Sequence, residues 1–124
     1  MSGAQSPYVV AMTHEYQPNK EELASVIVCD MNGLVQTFAA GASTIFQWKP
    51  EEVVGKMGVA AFHVPENVPT LVPRLLKTAV EKGKFEEQVT LVRKDGSRFE
   101  GILTVRPKFK DGHQVGFMGF TRPL

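Results

Sequence analysis

Side chains able to do chemistry are few in this sequence, and they are scattered. Its histidines are His14, His63 and His113, and its single cysteine is Cys29. His14 and His113 have no further ligands at metal-binding spacing, so solvated side chains are the simpler reading of both. His63 could ligate a metal, or simply cap the loop ahead of a helix. Cys29 lies in the apolar run ASVIVCD (24–30), where a thiol is more often inert packing than a redox sensor. The carboxylate pairs Glu51-Glu52 and Glu86-Glu87 are explained by a helix start and a strand edge rather than by acid–base work. No phosphate-cradling loop, Gly-x-Ser-x-Gly or Cys-x-x-Cys occurs. These residues point away from an enzyme.

The whole chain sets matching bounds. With 124 residues, 43% apolar and 22% charged, it is long enough for one core. Fourteen basic and thirteen acidic residues are interspersed and leave a formal charge of +1. No basic stripe with interleaved aromatics marks a nucleic-acid surface. No apolar run is long enough to span a bilayer, and no signal-peptide pattern opens the chain. A lone cysteine suits a reducing, cytoplasmic setting.

The elements that must position any site follow from periodicity. FEEQVTLVRKDGSRFEGILTVR (85–106) alternates with a period of two around Asp95-Gly96, the strongest short-range hairpin signal. Ala24 to Asp30 and Leu34 to Phe38 form a shorter hairpin around Met31-Asn32-Gly33. Asp111-Gly112 turns the chain into a last strand, Gln114 to Arg122. Between the two strand blocks, Ala42, Ile45 and Phe46 mark one face of a short helix. Pro50 starts a second and Val59 to Phe62 forms an apolar turn. The one longer helix carries Leu71, Leu75, Leu76 and Ala79 as its stripe. Thr70 is its expected cap, Pro73 falls at its third position and Gly83 is its stop. Strands flanking a helical block predict an α+β domain: a five-stranded antiparallel sheet with short helices and one longer helix packed on one face. Residues 1–22 are expected to be a flexible or dimer-forming leader, and 23–124 the domain.

Several segments then resemble the PAS domain, the sensory module of bacterial and archaeal signalling proteins. GASTIFQWKPEEVVGK (41–56) is similar to that family's "GA…lfGy…eEliGk" segment and FHVPENV (62–68) to its "iHPeD" boundary. VRKDGSRFEG (92–101) resembles the hairpin, and GFMGFTR (116–122) the final strand. Four degenerate motifs in order are specific together, and they span Val26 to Thr121. Three positions depart from the pattern: a frequent asparagine is Ala39, a glycine is Gln47, and the aromatic after it is Trp48. The light-oxygen-voltage subgroup carries a cysteine that Met57 to Phe62 lacks, which argues against a flavin–cysteine photocycle. Haem-binding members often use a histidine on the longer helix, and Thr70 to Lys82 has none.

The resemblance implies a small-molecule cavity between sheet and helices. Alternation puts Val89, Leu91, Gly101 and Leu103 on the face the helices cover, with Phe117, Gly119 and Thr121 opposite them on the last strand. Gly101 and Gly119 are expected to make room for a flat guest, because glycine within a strand often marks a close approach. Thr121 would orient that guest. Phe46, Phe62, His63 and Leu75 complete the expected lining, with the same aromatics filling the gap as the alternative. Flavin ranks above haem as cofactor, with no cofactor as the remaining case. The outer sheet face, with Ile102, Thr104, Met118 and Phe120, is expected to be covered by Val9, Val10 and Met12 of the leader, within the chain or across a homodimer. The function so read is a sensory input domain passing a change to an output domain or partner. The rival is a ligand-free interaction module.

Overall fold

A computed structural model describes residues 24–124. The leader, including Val9, Val10 and Met12, lies outside the described residues. Strands β1 (Ser25–Asp30) and β2 (Val35–Ala40) lead into helices α1 (Ala42–Phe46) and α2 (Pro50–Val53). Two 3₁₀ turns, Val59–Phe62 and Pro65–Asn67, precede helix α3 (Val68–Lys82). Strands β3 (Phe85–Val92), β4 (Arg98–Lys110) and β5 (His113–Pro123) follow. All pair antiparallel in one five-stranded sheet of order β2-β1-β5-β4-β3. The expected α+β architecture is what forms, and the last strand closes beside the first in its centre.

Turn chemistry sets the registers. The Asp30 carboxylate accepts the N–H groups of Asn32 (2.8 Å) and Leu34 (3.0 Å), which folds the chain back between β1 and β2. The β4–β5 turn has positive φ at both Asp111 (51°) and Gly112 (81°), the left-handed pair that a two-residue hairpin needs. The β3–β4 turn is wider than its Asp-Gly signal suggests. It closes through the Arg93 N–H to the Ser97 carbonyl (2.9 Å), with Gly96 at φ 89°.

Helix α3 begins earlier than its Thr70 signal implies. Pro65–Asn67 runs directly into it, Asn67 takes the cap position, and Pro73 falls inside the helix. The Pro69 carbonyl therefore has no N–H partner four residues on, and the exposed position of both prolines lets water meet that carbonyl. Leu71, Leu75 and Ala79 are buried against the sheet and Leu76 packs beside them, as the stripe predicts. Gly83 stops the helix at φ 79°.

One departure from the family pattern now has a backbone meaning. Gln47 caps α1 at φ 68°, a conformation glycine adopts without cost. Ala40, next to Ala39, has φ 57° at the end of β2, where asparagine is better tolerated than alanine.

Gly116 is the tightest backbone contact in the sheet. A Cβ there would collide with the Cys29 carbonyl oxygen and lie 3.0 Å from its carbonyl carbon. Gly119 has ordinary room, with the nearest atom the Ile27 carbonyl oxygen at 3.7 Å. Gly116→Ala should therefore cost about 3 kcal/mol or abolish folding, while Gly119→Ala should stay within about 1 kcal/mol of the parent. Urea unfolding of both variants measures the contrast.

Candidate functional site

The concave face of the sheet and the helical wall meet at a cluster of buried apolar side chains. Ile27 and Cys29 come from β1, Leu91 from β3, Leu103 and Val105 from β4, and Phe117 from β5. The wall contributes Phe46, Phe62, Leu71, Leu75 and Ala79. Phe62 stacks on Phe38 at 5.7 Å between ring centres and meets Phe46 at 5.0 Å, which closes one end of the space.

An apolar cavity of about 60 Å³ remains in this cluster. Nine of the expected site residues border it: Phe46, Phe62, His63, Leu75, Leu91, Leu103, Phe117, Gly119 and Thr121. Two do not. Gly101 is on the concave face, but Leu91 and Thr121 close over it: a Cβ there would sit 3.3 Å from Leu91 Cδ1 and 3.4 Å from Thr121 Cγ2. It is a packing glycine, and only Gly119 of the expected pair opens onto space. Val89, paired with Gly101, is buried in the same core without reaching the cavity, and it borders a polar groove with Thr70, Arg74 and Glu87.

The cavity also takes residues that were not singled out for it. Ile27 and Cys29 share one face of β1, and Val59 and Leu76 come from the 3₁₀ turn and α3. Alternation within ASVIVCD and the α3 stripe carried that signal. Cys29, read as inert packing, keeps a buried thiol whose pKa is raised by desolvation.

His63 is the polar group that stands out. It pairs with Leu91 at the free edge of β3, and its N–H donates to the Ala60 carbonyl (3.1 Å). The side chain is buried and its Nδ1 has no hydrogen-bond partner among the described residues. Burial pushes the imidazole down to about 4, so the ring is neutral at physiological pH. Among the described residues no three His, Cys, Asp or Glu side chains gather as metal ligands.

The wall is fastened to the sheet by exposed charges. Lys94 at the β3–β4 turn pairs with Glu52 (2.8 Å) and lies 5.1 Å from the centre of the Trp48 ring. Its backbone N–H donates to the Phe46 carbonyl (2.9 Å). Arg74 binds Glu87 through two hydrogen bonds (2.6 and 2.9 Å), and Arg98 binds Glu66 likewise (2.7 and 3.2 Å). On the opposite sheet face Ile102, Thr104, Met118 and Phe120 are half-buried, and Thr104 donates to Glu86 (2.8 Å). No helix among the described residues is long and apolar enough to cross a membrane.

The depressed His63 pKa carries a pH signature. An unfolded chain takes up its proton near pH 6.5 while the folded one resists until about 4, so stability is whole above 6.5 and falls as pH drops through that window. Wild type should lose about 3 kcal/mol from pH 6.5 to 4 that His63→Leu does not lose, read by urea unfolding at each pH.

Comparison with known proteins agrees with this geometry. A family model described as the PAS fold matches residues 24–124. The chain is 29% identical over 100 residues to two-component system protein A of Emericella nidulans. That match takes in 81% of this chain but only 15% of the relative's length. Among solved structures, a PAS domain from Colwellia psychrerythraea superposes with a TM-score of 0.78 at 20% identity, covering 82% of this chain and 86% of that one. A light-oxygen-voltage domain studied with a flavin analogue superposes at 0.67 with 21% identity, covering 81% of this chain and 76% of that one. Motifs, sheet order and family match agree: the chain belongs to the PAS family of sensory domains.

Proposed function

We propose that this domain is the sensory input of a signal-transduction protein, holding a small molecule in the cavity and passing the change to an output domain or partner. The observation that carries this reading is a buried histidine nitrogen without a partner beside an apolar space. Buried polar atoms are nearly always hydrogen-bonded, and a guest would supply the missing bond. Strand β5 suits transmission because Phe117, Gly119 and Thr121 border the cavity while Met118 and Phe120 alternate to the other face. A guest preferring one arrangement of β5 would shift the population toward it. The outer face, with Ile102, Thr104, Met118 and Phe120, is where we place the homodimer or output contact, completed by Val9, Val10 and Met12.

Flavin stands above haem as a candidate on the likeness to the light-oxygen-voltage domain. Neither fits the cavity with the side chains where they stand, since pockets for molecules of drug size run to roughly 300–1,000 Å³ against about 60 Å³ here. We read the role as non-catalytic: burial raises the Cys29 thiol pKa, and no nucleophile–base pair is brought together among the described residues. The small volume favours one second reading, a ligand-free module that only dimerises or docks a partner. Native mass spectrometry of the purified chain, with an absorption spectrum, separates the two. A mass excess lost on denaturation supports the sensor; a bare mass that no small molecule changes, with dimerisation intact, supports the interaction module.

A further inference from the structure

The interior cavity has a neighbour. A second apolar chamber of about 180 Å³ lies under the 31–33 turn, bordered by Met31, Asn32, Gly33, Gly58, Ala60 and Val72. The two spaces share four residues: Cys29, Val59, Leu76 and Phe117. Cys29 and Phe117 are buried, whereas Val59 and Leu76 are half-buried. Two of the four dividing side chains thus reach solvent, one on a short 3₁₀ turn and one on α3. Rotamer changes of such side chains take place in picoseconds to nanoseconds. Gly33 and Gly58 form part of the outer chamber's wall. A Cβ at Gly33 would be in ordinary contact with Val59 Cγ2 at 3.6 Å, and one at Gly58 with the Gly33 carbonyl oxygen at 3.7 Å, though Gly33 has φ 86° and favours glycine for that reason.

The inner end has its own chemical demand. His63 Nδ1 is buried and unpartnered, and either ring nitrogen of a neutral imidazole can carry the proton. A hydroxyl group, both donor and acceptor, satisfies Nδ1 in either tautomer. Among the described residues no Asp, Glu, Lys or Arg borders the inner cavity, so a charged guest would be buried without compensation. Resting on the sensor reading above, we infer that the guest is a neutral hydroxyl-bearing molecule with a short apolar tail. Its hydroxyl sits on His63 Nδ1, and its tail passes between Val59 and Leu76 into the outer chamber.

The probe is a series of n-alkan-1-ols from ethanol to octan-1-ol, with alkanoates of matching length, titrated calorimetrically into the 124-residue chain at neutral pH. Affinity should rise about threefold to fourfold with each methylene until the outer chamber is filled, then level off. Alkanoates should bind at least tenfold more weakly than the matching alcohols. Val72 borders only the outer chamber, so Val72→Trp should erase the gain with chain length while sparing ethanol, and His63→Leu should weaken every alcohol about tenfold and leave the length dependence. Affinity that stays flat or falls beyond ethanol in the wild type overturns the two-chamber guest, as does a preference for alkanoates. If native mass spectrometry then reveals some other bound molecule, the sensor reading stands and only this inference falls. Should no alcohol bind and the native mass be bare, both fall together.

Discussion

The pairing of β1 with β5 is the constraint on which the rest of the domain depends. The first and last described strands meet in the middle of the sheet, so the helices between them must be accommodated beside a surface that closes only once β5 is in place. Their register runs without interruption from Ser25 opposite Thr121 to Asp30 opposite Gly116. At its end the two backbones approach so closely that position 116 tolerates no side chain. That register brings Ile27 and Cys29 beside Phe117 and Gly119, and with them the floor of the cavity.

Long-range closure also explains which features could be read in advance. Both β-turns with Asp-Gly and the alternation of their flanking strands depend on adjacent residues, and they appear where the sequence puts them. Sheet and helical wall follow from the order of those elements. The start of α3 was misread because Thr70 is a reasonable cap in isolation, and only the preceding 3₁₀ turn carries the helix back to Val68. The role of Gly101 was illegible for a different reason. Its face is set by local alternation, but the space beneath it is filled by Leu91 and Thr121, brought in from two other strands. The need for glycine at 116 is not legible in the sequence because the carbonyl that excludes a side chain there lies more than eighty residues away in the chain.

The site shows the same division. Nine residues selected by face and motif border the cavity. Its small size depends on how the rings of Phe38, Phe46 and Phe62 lean on one another, which no spacing of residues encodes. The backbone at Gln47 illustrates how a family pattern can be physical before it is functional. The position is left-handed, and the glycine that relatives often place there answers a conformational need rather than a ligand.

The helical wall is fastened from outside. Lys94 with Glu52, Arg74 with Glu87 and Arg98 with Glu66 are all solvent-facing pairs, each adding little to stability and weakened as ions crowd the surface. Beneath them the same wall is held by greasy contact, which salt does not loosen. A rise in ionic strength would therefore unbutton the rim of the domain while leaving its interior packed, so that how firmly the outer edge of the wall is held is partly a property of the surrounding medium.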